Sequence, residues 1–270
     1  MSEIDKSARN IAAFFDVDGV LLPQPSLETR LFRSLRERRI LGLRNYFYWL
    51  AESLRLVFQG PQRILHANKA YLRGIAAADA IASARFVEKS DLFFEEAIER
   101  VTWHAQQGHR IVLVTGTLEP LALQVAAVLR SALRKVSVDA VVHVCATRLA
   151  EQNGRWSGRI EGEAVFGKEK ARVIQGLAAR LRLNLAGCFA YGDSANDRWM
   201  LALVGHAFAV NPNDELLRIA RLSGWPVIHW SAAVSRGGQN TRNHSERAER
   251  ARPGKPSRNP IAPAVPEIPL

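Results

Sequence analysis

Apolar positions along this chain recur with two periods, and the alternation between them predicts the architecture. Unbroken apolar runs read as strands buried on both faces: the first, with its loop, spans 11–22, and others fall at 111–114, 188–191 and 206–210. Between them, apolar residues at helical spacing predict helices over 92–107, 119–134, 168–183, 197–204 and 214–223. Further strands are expected at 138–145 and 226–230. A hairpin is expected over 148–160, because Asn153-Gly154 is the favoured pair for a tight turn with positive φ at both central residues. Strands alternating with helices imply parallel βαβ units, so the expected fold is α/β, a doubly wound parallel sheet.

Two stretches depart from this rhythm. Pro23 and Pro25 end the first strand's loop, and 26–90 is helical in pattern, with Leu31 and Leu35, then Leu50, Leu54 and Val57, on recurring faces. Gly60-Pro61 and Gly74 mark turns within it. This is a helical unit inserted between two strands, and its aromatic run from Tyr46 to Trp49 is expected to pack inside it, with a substrate pocket or a lipid-facing surface as the rival readings. The last stretch, 233–270, turns to Ser, Gly, Asn, Arg and Pro, cannot bury enough apolar surface to order itself, and is expected to be a disordered tail. The expected domains are therefore 1–25 with 91–232, the insertion 26–90 and the tail.

Composition narrows the class without fixing it. The 270 residues are 47% hydrophobic and 23% charged, which suits a globular protein with a substantial core. The two cysteines, Cys145 and Cys188, lie in apolar runs and are expected to pack in the core of a protein from a reducing compartment. With no apolar signal core at the N-terminus and no run long enough to span a bilayer, a cytoplasmic location is expected. The net charge of +11 comes largely from arginines at 30–55 and 236–258, and it would draw an anionic phosphate ester inward.

The chemistry gathers at strand ends. The first strand runs into Asp16-Val17-Asp18-Gly19, the second into Thr115-Gly116-Thr117, and the third into Gly192-Asp193-Ser194-Ala195-Asn196-Asp197. In a parallel sheet these ends converge on one crevice. A lone Asp-x-Asp-Gly reads equally well as a turn with a helix cap, but these segments in this order, with Lys170 between the second and third, resemble the haloacid dehalogenase superfamily, whose members are mostly phosphatases. The resemblance is closest to its phosphoserine-phosphatase-like branch, through the long insertion, Gly167-Lys168-Glu169-Lys170, Val210-Asn211-Pro212 and Gly224-Trp225-Pro226.

That resemblance implies a Rossmann-like core, an inserted helical cap that closes over the site, and hydrolysis of a small phosphorylated metabolite with Mg2+. Asp16 is then the nucleophile that forms an aspartyl-phosphate, and Asp18 the acid and base for leaving group and water. Asp16, Asp193 and the Asp18 backbone carbonyl are the expected metal ligands. Thr115, Gly116 and Lys170 are expected to hold the phosphate, with Thr115 and Gly116 at a helix start. Lys168 is the rival to Lys170, which precedes Asp193 at the spacing familiar in this branch. Asp197 is expected to hold the metal's water or Lys170 from behind, or to serve as a helix N-terminal charge.

Substrate identity is less legible. Where phosphoserine phosphatases carry a small hydroxyl residue and a glutamate for the amino group, this chain has Gly19 and Pro25, with Glu28 the nearest acid. Gln24, Glu28, Arg30 and Arg85 are candidates to line a pocket. Phosphotransfer to another alcohol stays open beside hydrolysis. A basic protein binding nucleic acid or an anionic membrane on the same scaffold is the alternative class, although such a module needs none of the five catalytic candidates.

Overall fold

The computed structural model describes residues 10–57, 68–88 and 92–231. The tail expected at 233–270 and the turn expected at Gly60-Pro61 lie outside them. Six strands form one parallel sheet: β1 (Ala12–Phe15), β2 (Arg110–Leu118), β3 (Val142–Thr147), β6 (Phe189–Gly192), β7 (His206–Val210) and β8 (Val227–Ile228). Their order across the sheet is β3-β2-β1-β6-β7-β8. The chain starts in the middle, builds outward to one edge, then returns beside β1 to build the other half. The reversal falls between β1 and β6, which is where ligands bind in sheets of this kind.

Both faces of the sheet are covered, and β1 shows why its sequence carries no polar residue. Ala12 and Phe14 belong to one apolar cluster with Ile174, Leu177, Met200 and Leu216. Ala13 and Phe15 belong to the other, with Leu31, Val101, Val125 and Leu129. A strand alternates its side chains between faces, so burial on both requires every position to be apolar.

Five helices flank the sheet: α4 (Glu95–Gln106), α5 (Glu119–Lys135), α6 (Lys168–Leu181), the short α7 (Arg198–Leu201) and α8 (Asp214–Ser223). Between β1 and β2 come α1 (Leu27–Glu37), α2 (Leu43–Leu56) and α3 (Ala77–Ser83). Ser26 caps α1 by accepting from the Thr29 amide, and Leu27, Leu31 and Leu35 are its buried stripe. No helix among the described residues is long and apolar enough to cross a membrane.

The expected hairpin is present as β4 (Leu149–Gln152) and β5 (Arg155–Ile160), with Asn153 and Gly154 at φ 53° and 74°. It does not stand alone. The Trp156 amide donates to Ile75 O at 2.9 Å, Gly74 N donates to Trp156 O at 2.8 Å, and Ala77 N donates to Gly154 O at 3.0 Å. The hairpin is thus stitched to the insertion by backbone hydrogen bonds, and Trp156 is buried in the joint.

Several expectations need correction. The strand expected at 138–145 begins only at Val142, where pairing with Ile111 of β2 starts. The second strand does not stop at residue 114 but runs to Leu118, with a register shift against β3 between Thr115 and Leu118. The helix expected over 197–204 is a single short turn, α7, preceded by a 3-10 turn at Ala195–Asp197. The aromatic run of α2 does not pack inward: Tyr46, Phe47, Trp49, Leu50 and Leu54 are all exposed. Polar bonds on the other side set this orientation. Asn45 donates to the carbonyls of Tyr71 and Arg73, and Asn68 donates to Trp49 O and Ser53 Oγ.

One buried histidine makes the fold sensitive to acid. His104 has no exposed surface; its Nε2 lies 2.9 Å from the Tyr191 hydroxyl and its Nδ1 2.9 Å from His109 Nδ1. Burial, reinforced by the neighbouring charges of His109 and Arg100, pushes its pKa from 6.5 down to about 3. The unfolded chain therefore accepts a proton that the folded protein refuses, and stability falls as pH drops below about 6.5 and continues falling toward about 3. We expect His104 to cost ~2 kcal/mol of stability by about pH 5 relative to neutral pH. Urea denaturation of the wild type and His104→Gln across this range checks it: the variant should show a shallower acid loss, and parallel curves would refute the assignment.

Candidate active site

Two acids reach the switch point because β1 and β6 are hydrogen-bonded in register. Phe15 pairs with Tyr191, the Asp16 amide donates to Tyr191 O at 3.0 Å, and Asp193 follows directly after β6. The ring of Phe15 stacks on Tyr191 at 4.6 Å, and Tyr191 stacks on Phe208 at 5.0 Å, so an aromatic row crosses three strands just behind the acids.

Lys170, in the first turn of α6, is the cation among them. Its Nζ lies 2.9 Å from Asp16 Oδ2 and 2.6 Å from Asp197 Oδ1, and its side chain is 4% exposed. Lys168 is exposed, one turn edge away from this contact. Burial opposes the Lys170 ammonium, but the carboxylates of Asp16 and Asp197 outweigh it and hold its pKa above the ordinary lysine value.

Asp197 is fully occupied by the protein. Beyond its bond to Lys170, its Oδ2 accepts from the amides of Asp193 and Ser194 and from Ser194 Oγ. It therefore positions both Lys170 and the loop that carries Asp193. Carboxylate oxygens of Asp16, Asp193 and Asp197 lie within 4.8 Å of one another, a grouping suited to a metal ion. Asp16 is also engaged, its Oδ1 accepting from the Val17 amide at 2.7 Å and its Oδ2 facing Lys170, so among the described residues Asp193 is the member whose carboxylate accepts no hydrogen bond.

The donor set tests what cation would fit. It is all carboxylate oxygen, without His or Cys, which suits a hard divalent ion such as magnesium. Burial, followed by the charges of Asp16 and Asp197, drives the Asp193 carboxyl well above the usual range. Burial also raises Asp16, partly offset by Lys170. In both, the ionised form is disfavoured by burial, and a bound cation would favour it.

Asp18 is held apart from that grouping. Its Oδ1 accepts from the Leu27 amide at 2.7 Å, the first N–H of α1, and its Oδ2 accepts from Thr117 Oγ1 at 2.7 Å. Burial still raises its pKa against these two bonds. Gly19 follows at φ +84°, and a Cβ there would come within 1.9 Å of Asp193 Oδ2, so only glycine lets the two loops close on each other.

Thr115 and Gly116 sit at the end of β2 beside these groups, not at a helix start as expected, since α5 begins at Glu119. Thr115 Oγ1 accepts from the Thr117 amide at 3.1 Å, which keeps the Thr-Gly-Thr segment in place. Thr117 and the Leu27 amide were not foreseen as partners of Asp18. The signal for Thr117 was present: on an extended chain, positions 115 and 117 share a side. Of the suggested pocket residues, Arg30 instead braces the proline loop through the carbonyls of Pro23 and Pro25, while Gln24 and Arg85 are exposed.

Comparison with known proteins agrees with this geometry. The family model for haloacid dehalogenase-like hydrolases matches residues 13–202. The chain belongs to this family. Phosphoserine phosphatase SerB1 of Mycobacterium tuberculosis is 30% identical over 225 residues, covering 80% of this chain and 70% of that protein. A probable phosphatase of the same organism is 28% identical over 235 residues, covering 83% and 77%. Among solved structures, a Bordetella pertussis protein of unknown function superposes with a TM-score of 0.63 at 26% identity, covering 81% of this chain and 98% of that one. A substrate-bound phosphoserine phosphatase shares the fold with a TM-score of 0.56 at 18% identity, covering 81% and 92%.

The two lysines of α6 offer a direct check on the site. Lys170→Ala strands two buried carboxylates, and we expect it to destabilise the fold by ~3 kcal/mol or more. The exposed Lys168→Ala should stay within ~0.5 kcal/mol of wild type. Thermal and urea denaturation of both variants measures the difference, and equal effects would show that Lys170 is not the buried cation.

Proposed function

We propose that this chain is a magnesium-dependent phosphomonoesterase that works through an aspartyl-phosphate on Asp16. The observation that carries this reading is the buried Lys170 bonded to Asp16 and Asp197 beside Asp193, with Asp18 fixed separately two residues from Asp16. A structural ion pair would need neither the spare carboxylate of Asp193 nor a second acid anchored within reach. The family membership points the same way.

In this reading an Asp16 oxygen attacks phosphorus while the bond from phosphorus to the alcohol oxygen breaks, and Asp18 gives its proton to the departing alkoxide. Burial of Asp18 favours the protonated state that this step needs. Asp18 then takes a proton from the water that attacks the phosphoryl group, which frees phosphate and restores Asp16. Thr115, Gly116 and Lys170 serve the phosphoryl oxygens. Magnesium held by Asp16, Asp193 and the Asp18 carbonyl would supply further positive charge to those oxygens. The insertion, acting as the cap, excludes water and selects the alcohol.

Selection is assigned to a cavity of about 360 Å³ lined by Glu28, Thr29, Phe32, Tyr46, Trp49 and Tyr71. It begins one residue from Leu27, whose amide holds Asp18. Its single carboxylate is half engaged: buried Lys69 Nζ bonds Glu28 Oε2, while Glu28 Oε1 is buried without a hydrogen-bond partner. Lys69 offsets the charge of Glu28, so a substrate ammonium gains no unbalanced anion and only Oε1 as an acceptor, whereas the aromatic walls favour an apolar or ring-bearing alcohol.

Phosphate release by purified protein should stop on chelation and return with added magnesium, and Asp16→Asn should lower turnover by ~10³-fold or more. Activity that survives Asp16→Asn would overturn the mechanism. For selectivity, we expect kcat/KM for benzyl phosphate to exceed that for phosphoserine by ~10-fold or more. A steady-state comparison of the two esters measures it, and a preference for phosphoserine would reject the assignment of this cavity.

A further inference from the structure

The feature that the proposed chemistry leaves unexplained is the outer face of α2. Leu43, Phe47, Leu50, Leu54 and Val57 recur at steps of four and three along the helix and so lie in one stripe. Leu43 is 79% exposed, Phe47 68% and Leu54 65%, with Leu50 and Val57 about half exposed. Tyr46 and Trp49 are also exposed and share in lining the cavity behind the helix. Scattered exposed leucines are ordinary, but a continuous stripe of this length on one helix marks an interaction surface.

Charge decides among the occupants. Exposed Arg33, Arg36 and Arg39 lie on or just after α1, Arg38 beside them donates to Ser83 Oγ, and Arg44 and Arg55 each follow a stripe residue directly on α2. The acids close to them in sequence are Glu37 and Glu52, and Glu52 is bonded to Arg55. A second copy placed face to face would bring this positive rim against itself. Nucleic acid would meet the arginines but gives an aliphatic stripe no matching surface. An anionic lipid surface meets both: the apolar side chains enter the acyl boundary, the arginines reach the headgroups, and Tyr46 and Trp49 are residue types that favour that depth.

We infer that α2 is a docking surface that seats the protein reversibly on an anionic membrane. The stripe needs no rearrangement to do so, because the anchoring bonds of Asn45 and Asn68 already hold it outward. Docking would also place the cavity lined by Tyr46 and Trp49 next to the lipid boundary.

The test is flotation of the full-length protein with phosphatidylcholine vesicles and with vesicles of phosphatidylcholine mixed with phosphatidylglycerol. The wild type should float with the anionic vesicles, less so as salt rises, and little with the neutral ones. Replacing Phe47, Leu50 and Leu54 together by Ser should lower partitioning by ~10-fold or more, while Leu222→Ser, at an exposed leucine of α8, should leave it unchanged. Circular dichroism and hydrolysis of a soluble aryl phosphate report folding independently of docking. If the triple variant misfolds, Arg39→Glu with Arg44→Glu tests the charge alone and should abolish the preference for anionic vesicles. A wild type that fails to float, a triple variant that floats as well as wild type, or a stripe-dependent dimer seen by light scattering would each overturn the inference.

Discussion

The removal of four carboxylates from water is the constraint around which this fold is organised. Asp16, Asp18, Asp193 and Asp197 lie within one crevice, and each would be costly to bury alone. The protein supplies different compensation to each. Asp197 receives a lysine and three hydrogen-bond donors, Asp18 receives a helix amide and a hydroxyl, and Asp16 shares the lysine. Asp193 receives least, and burial together with the charges of Asp16 and Asp197 raises its pKa. The unevenness is informative: groups that position others are satisfied by the protein, and groups that would meet a cation or a phosphate are left wanting one.

Such a crevice depends on strand register. A slip of one residue between β1 and β6 would turn Asp16 to the opposite side of the sheet from its present neighbours. The row Phe15, Tyr191 and Phe208 resists that slip, because its stacked rings sit on paired positions of three adjacent strands. The apolar core and the polar site are in this sense one construction, with the aromatic row immediately behind the acids.

Much of this was legible in the sequence for local reasons. β1 must be wholly apolar, Asn153-Gly154 can only favour a tight turn, and acids after apolar runs must surface at strand ends. Less legible were features set by distant partners. The stripe of α2 showed a face but not what covers it, and the outcome rests on Asn45 and Asn68 reaching the backbone of other segments. Glu28 was visible as the nearest acid, but its neutralisation by Lys69 depends on the insertion folding back on itself. The extension of β2 through Thr117 was hidden by Gly116, which reads as a break in a strand and lies unpaired in the register shift between the paired Thr115 and Leu118.

The stitching of the hairpin to the insertion changes how the site can open. Had the insertion hung only from the segments before α1 and after α3, it could swing on two strands of chain. Because Gly74, Ile75 and Ala77 are bonded to β5 and its turn, any swing must also carry β4 and β5, which leave the sheet after Thr147 and return by Val165. On the proposed reading of the insertion as a cap, the body that would move has four tethers. Opening for product exit would then depend on the give in the short connections on either side of the hairpin as well as on those of the insertion itself.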